Sequence, residues 1–222
     1  MNDKIVKLII SKNIDTENIS FDLIRKIAGK DYDIWHKLGR GRAILNSEEE
    51  LDQYLYSYGP MIKSQWDNLL SSMQLPAGNI SIADYACGQG LASMLLLDKF
   101  RVSKYIEKIS QITLIEPSAI ALTRASRILN CYCPGSRITT INKKIDDLTQ
   151  ADLKLSEIDA KIHLFSNILD IDDFDQLDLF NKIFSNKGIH YILAVSHDRN
   201  FDGGSQRLRD VYNAIKPEII SS

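Results

Sequence analysis

From Asn79 onwards the chain alternates short apolar runs with helical patterns, and this alternation constrains the fold more than any other feature. Ile80–Ala86, Ile112–Ile115, Ile138–Ile141, Ile162–Phe165 and Ile189–Val195 read as strands. Leu91–Lys99, Ser118–Leu129, Phe174–Phe184 and Gln206–Ile215 read as helices. In the second of these, Ile120, Ala121, Ala125, Ile128 and Leu129 recur at helical spacing. Strands that return parallel to one another need a long crossover, usually a helix. The pattern therefore predicts an α/β protein, a three-layer Rossmann-like sandwich with a mostly parallel sheet covered on both faces. Ligands bind such sheets outside the carboxyl ends of the strands, so the residues just after each strand are the candidates for function.

The texture changes near Leu75–Gly78, where Pro76 and Gly78 break the pattern. Before that point the chain reads as helical. Phe21–Ala28 follows a polar start, and Ser47 with Glu50 forms a capping-box pattern opening Glu48–Tyr56. Gly59 and Pro60 predict an interruption, with a helix resuming over Met61–Met73. Residues 1–77 are thus expected to form a helical cap and 78–222 the α/β domain. The 27 Lys+Arg against 29 Asp+Glu leave a net charge of -2, without the basic excess of a protein that coats phosphate backbones. Cys87, Cys131 and Cys133 form no disulfide framework and suit a reducing compartment. No metal site is expected, since the C-x-C of Cys131 and Cys133 has no partner ligands. The apolar run Leu8–Ile10 is too short for a signal peptide, and no stretch approaches a membrane span of ~20 apolar residues. A cytoplasmic location without membrane contact is expected.

The most informative segment is Ser81–Leu91, SIADYACGQGL. A strand ends at Asp84, a turn follows with Gly88 and Gly90, and a helix begins. Glycine lets a backbone approach a ligand closely, and free N–H groups at a helix start favour an anionic ligand group. A dinucleotide fingerprint would need glycines at 86, 88 and 91, where the chain has Ala86, Gly88 and Leu91. This argues against a nucleotide-dependent oxidoreductase.

The run D-x-A-x-G-x-G from Asp84 to Gly90 resembles the first motif of the class I S-adenosylmethionine-dependent methyltransferases, with Ala86 in place of the family's first glycine. The run ITLIEPS strengthens the resemblance, because it sets Glu116 and Pro117 directly after a strand. The resemblance covers about Asn79–Ile215 and implies S-adenosyl-L-methionine as cofactor. It implies that Asp84 orients the loop or the cofactor's amino group. Ala86, Gly88 and Gly90 would cradle the methionine end, and Glu116, with Pro117 beside it, would hold the ribose. Ile145 or Asp146 would line the adenine, and Ser166 and Asn167 would face the methionine part. No catalytic residue is implied, because an activated sulfonium needs orientation more than acid–base help.

The acceptor is left open among small molecules, proteins and RNA. Ser166-Asn167-Ile168-Leu169 lacks the proline pair of enzymes that methylate amino groups of DNA bases, and Cys133-Pro134 reverses the order used at cytosine C5. The family's sheet has about seven strands, and only five candidates are visible here. The last two strands are therefore expected to be lacking, through a reduced form, a longer parent chain, or a partner over the fifth-strand edge. The alternative function is a non-catalytic methyltransferase-like interaction module or a piece of a larger protein. Elsewhere the expectations are structural: His163 as a core histidine, Trp35 and Trp66 as core or cap residues, and Asp170, Asp172, Asp173 and Asp175 as a solvated helix start. Tyr54, Tyr56 and Tyr58 divide between lid and packing, and His197 and Asp198 between pocket and surface.

Overall fold

The computed structural model describes residues 3–157, 159–171, 173–197 and 204–219. Helices α1 (Lys4–Ser11), α2 (Phe21–Ile27) and α3 (Glu48–Ser71) precede the first strand, with 3-10 turns over Tyr32–Gly41, kinked at Gly39 and Arg40, between α2 and α3. The alternation then follows as β1 (Ile80–Tyr85), α4 (Leu91–Val102), β2 (Ile109–Ile115), α5 (Ala119–Tyr132), β3 (Arg137–Ile141), β4 (Ala160–Ser166), α6 (Gln176–Phe184), β5 (His190–Val195) and α7 (Gly204–Ile219). The strands form one sheet in the order β3-β2-β1-β4-β5 with every neighbouring pair parallel. This is the Rossmann-like architecture that the alternation predicts. The strand order reverses between β1 and β4, which makes their carboxyl ends the switch point where a ligand crevice forms.

Both faces of the sheet are covered. Ile80, Ile82, Ile112, Leu114, Ile162 and Leu164 share one core with α4, α5 and the N-terminal helices, through Ile5, Ile9, Ile24, Leu55 and Trp66. Ala83, Tyr85, Ile115 and Phe165 pack on the opposite face against Leu179, Phe180 and Ile183 of α6 and Val211 of α7. Burial on both faces explains why the strands read as nearly continuous apolar runs.

The N-terminal segment departs from expectation in several places. Helix α1 was not foreseen. Asp3 caps it by accepting the Val6 N–H at 3.1 Å, and Ile5, Val6 and Ile9 form its buried stripe. Helix α3 runs unbroken through Gly59 and Pro60, which corrects the predicted interruption. Pro60 lacks the N–H that would reach the Tyr56 carbonyl, yet Leu55, Gly59, Ile62, Trp66 and Leu70 form one buried stripe across that point. Packing thus outweighs the one lost hydrogen bond. Gly59 serves close approach to α2: a Cβ there would stand 3.2 Å from Leu55 Cδ1 and 3.3 Å from Arg25 Cδ. Trp66 is fully buried, but Trp35 is 62% exposed and is no core residue. In the acidic run, Asp175 caps α6 by accepting the Asp178 N–H at 3.0 Å. Asp173 is exposed, whereas Asp170 is buried rather than solvated. Asp172 and Asp198 lie outside the described residues.

A polar chain crosses the second core. Tyr85 Oη lies 3.0 Å from His163 Nδ1, His163 Nε2 lies 3.0 Å from His190 Nδ1, and His190 Nε2 lies 2.9 Å from the Asn186 carbonyl. A carbonyl only accepts, so His190 must carry its proton on Nε2 and accept on Nδ1. His163 then donates from Nε2 and accepts from the Tyr85 hydroxyl, and both rings are neutral. Burial pushes His163 down to about 3, helped by His190 and Lys161. Burial also lowers His190, against the bond to Asn186.

A histidine depressed in the folded state contributes stability that is present above its unfolded pKa of about 6.5 and lost as pH falls below it. Relative to a His163→Phe variant, wild type should therefore lose roughly 2 kcal/mol between pH 6.5 and 4.5. Urea unfolding of both proteins across that range measures the difference and removes opposing contributions common to both. Parallel stability curves would refute the neutral-histidine account.

Candidate functional site

A cleft opens at the switch point. Its floor is made of residues that follow strands: Ala86, Gly88 and Gln89 after β1, Glu116, Pro117 and Ser118 after β2, Ser166 and Asn167 at the end of β4, and His197 after β5. Its roof comes from the N-terminal segment, with Arg40–Leu45 on one side and Tyr54, Tyr58 and Met61 of α3 on the other. The Ser118 hydroxyl donates to the Leu45 carbonyl and so ties roof to floor.

The turn after β1 is built on left-handed backbone, with φ of 49° at Ala86, 53° at Gly88 and 81° at Gly90. Ala86 thus stands in a conformation that glycine adopts freely and that costs other residues on the order of 1 kcal/mol. The two glycines serve different ends. A Cβ on Gly88 would meet nothing within 4 Å, so Gly88 borders open space. A Cβ on Gly90 would stand 3.2 Å from Ala125 Cβ, so Gly90 allows α4 to approach α5 while starting α4. Gly90 starts α4 without a side-chain cap, and the first-turn residues Leu91, Ala92 and Ser93 are buried behind the floor.

Glu116 spans the floor. Its Oε2 accepts the Gly88 N–H at 2.9 Å and its Oε1 accepts the Ser118 N–H at 2.8 Å. Burial raises its pKa, and those two N–H groups oppose the rise. Each oxygen keeps the capacity for a second bond. Asp84 lies beneath the turn, fully buried, with Oδ2 accepting the Ser93 hydroxyl at 2.7 Å and Oδ1 without a side-chain or backbone partner among the described residues. Burial lifts it to about 7, against the hydrogen bonds from Ser93 and with the help of the Glu116 charge.

Helix α3 braces the β4 end of the cleft. Gln65 and Asn167 exchange amide hydrogen bonds at 3.1 and 2.9 Å, and Trp66 Nε1 donates to Ser166 Oγ at 3.0 Å. Asn167 sits at φ 56°, which Asn tolerates better than most residues. At the opposite end, Gln89 donates to the Leu51 carbonyl at 2.7 Å and accepts from Arg124 Nη1 at 3.3 Å. Arg124, fully buried on α5, also binds Asp3 and Asp52 at 2.6 Å each.

Of the residues expected from sequence, Ala86, Gly88, Glu116, Pro117, Ser166 and Asn167 line the cleft. Asp84 and Gly90 support it from behind. Ile145 and Asp146 are outside its lining: Ile145 is buried in the second core, and Asp146 Oδ1 accepts the Asp175 N–H at 3.0 Å. After β3 it is Asn142, also outside the lining, that holds the β2 turn: its Nδ2 donates to the carbonyls of Glu116 and Pro117 at 2.8 Å each. Of the tyrosines, Tyr54 and Tyr58 roof the cleft, while Tyr56 bonds Tyr32 at 2.7 Å away from it. Roof residues Arg40 and Arg42 and brace residues Gln65, Gln89 and Asn142 were not foreseen.

A wider groove of about 580 Å³ between α1, α5 and β3 contains none of the positions that follow strands at the switch point. Among the described residues no group of three or more His, Cys, Asp or Glu could hold a metal ion, and no helix is long and apolar enough to cross a membrane. No family model and no curated protein matches the chain. Similar solved structures include an S-adenosylmethionine-dependent methyltransferase from Leishmania major, at 17% identity over 90% of this chain and 83% of that one, with a TM-score of 0.49. An rRNA methylase from Streptococcus thermophilus shows 15% identity over 68% of this chain and 79% of that one, with a TM-score of 0.41. A methyltransferase from Clostridium acetobutylicum shows 14% identity over 70% and 51%, with a TM-score of 0.36.

Proposed function

We propose that this chain is an S-adenosyl-L-methionine-dependent methyltransferase whose cofactor lies in the switch-point cleft. The observation that carries the reading is Glu116: a carboxylate at the end of β2, held by the N–H groups of Gly88 and Ser118 and still able to accept from ribose hydroxyls. Donation from two hydroxyls would favour its charged form against the cost of burial. Gly88 leaves the space that a Cβ would fill, at the turn where the cofactor's methionine end would lie. Asp84, buried beneath the turn, holds the start of α4 through the Ser93 hydroxyl and so fixes the loop that would receive the cofactor. Ser166 and Asn167, with polar groups held by α3, border the methionine part as a fixed wall.

The cofactor, when bound, supplies a methyl group already activated on a sulfonium. The chain's own contribution is then to orient two ligands and to exclude water between them. Tyr54, Tyr58 and Met61 present ring and thioether surface for that exclusion. A module that binds the cofactor without catalysis would use the same floor, and turnover separates the two.

Calorimetric titration should show S-adenosylhomocysteine and S-adenosylmethionine binding and NAD giving no heat. Glu116→Ala should weaken S-adenosylhomocysteine by about 1–3 kcal/mol, the scale of hydrogen bonds to a charged group. Absence of binding at millimolar cofactor would sink the reading. Unchanged affinity in a folded variant would remove Glu116 from the ribose.

A further inference from the structure

The cleft has two cations that the cofactor reading leaves unused. Arg40 and Arg42 both line it, both are exposed, and among the described residues neither makes an ion pair. On that reading Glu116 takes the ribose and Gly88, Ser166 and Asn167 border the methionine part, so neither guanidinium is assigned to the cofactor.

The backbone points the same way. Arg40 has φ 57° and lies between Gly39 at 53° and Gly41 at 88°. A run of left-handed residues suits glycine throughout, and an arginine at its centre keeps backbone strain for the sake of its side chain. The run packs against the α3 side of the roof. A Cβ on Gly41 would come within 3.8 Å of the Tyr58 ring and 3.9 Å of the Tyr54 ring. On the same helix, farther along, Gln65 and Trp66 bond Asn167 and Ser166, beside which the methionine part would lie.

We propose that the methyl acceptor is a small molecule bearing an oxyanion, phosphate or carboxylate, which Arg40 and Arg42 grip at the mouth of the cleft. A guanidinium offers paired N–H donors matched to both groups. The proposal rests on the cofactor reading for the word acceptor, but not for the anion site itself. The chain's net charge of -2 favours a small anion over a polynucleotide.

The test is a calorimetric titration of inorganic phosphate and, separately, acetate into S-adenosylhomocysteine-loaded protein, with chloride at equal ionic strength as blank. Phosphate or acetate should bind wild type, and the stronger of the two names the source of the oxyanion. Arg40→Gln and Arg42→Gln should each weaken that anion at least tenfold while changing S-adenosylhomocysteine affinity less than threefold. Arg40→Gly should lose the anion equally yet resist urea better than Arg40→Gln, because glycine relieves the strained backbone. Anion affinity unchanged in the variants overturns the proposal, as does a tenfold loss of S-adenosylhomocysteine with the anion unaffected. Tight binding of a short single-stranded RNA through the same arginines, with phosphate unable to compete, overturns the small-molecule assignment. Wild type that binds phosphate but not S-adenosylhomocysteine keeps the anion site and refutes its role for a methyl acceptor.

Discussion

Arg124→Ala lowers the stability of the protein by about 3–5 kcal/mol, the cost of leaving buried charges without a partner. The guanidinium binds Asp3 through Nε and Asp52 through Nη1, with all three residues buried. Neither carboxylate can turn to water. The other oxygen of Asp3 caps α1 through Val6, and the other oxygen of Asp52 accepts the Gly29 N–H at 3.0 Å. Against a total stability of about 5–15 kcal/mol, the loss would be visible as a large drop in the urea midpoint. Removing the charges together is different: Asp3→Asn, Asp52→Asn and Arg124→Met combined should recover most of the loss, since no ion is stranded. A cost under about 1 kcal/mol for Arg124→Ala would mean that water reaches the site.

Trp66→Ala is expected to cost about 3–5 kcal/mol, as truncation of a large buried aromatic does. Trp66 is fully buried in the core that joins α3 to the sheet. Trp66→Phe keeps most of the volume and removes the bond to Ser166 Oγ, so it should cost about 0.5–1.5 kcal/mol from that bond, with packing differences added. Urea midpoints of the two variants separate volume from hydrogen bond. Equal losses would show that the bond, not the packing, anchors α3 over β4.

The fold was legible because its signals are local. Each strand and crossover helix announces itself within a dozen residues, and Glu116 and Gly88 are placed by the ends of β2 and β1 alone. The roof was not legible, because the 3-10 turn over Tyr32–Gly41 has no long periodic face. The braces were not legible because they span the chain: Gln65 meets Asn167 across 102 positions, and Arg124 meets Asp3 across 121. Ile145 and Asp146 stand outside the cleft lining for a different reason. The chain turns away after Asn142, which stays at the Glu116–Pro117 turn, so counting farther past β3 overshoots the cleft. Pro60 misled because a residue rule cannot weigh one missing hydrogen bond against a buried stripe.

The bond from Trp66 to Ser166 joins residues 100 positions apart. A ribosome adding about 5–20 residues per second needs roughly 5–20 s to make the second after the first. Throughout that interval the newborn α3 holds out its indole N–H with no β4 to receive it. Chaperones that shield exposed apolar surface would therefore meet α3 before β4 emerges.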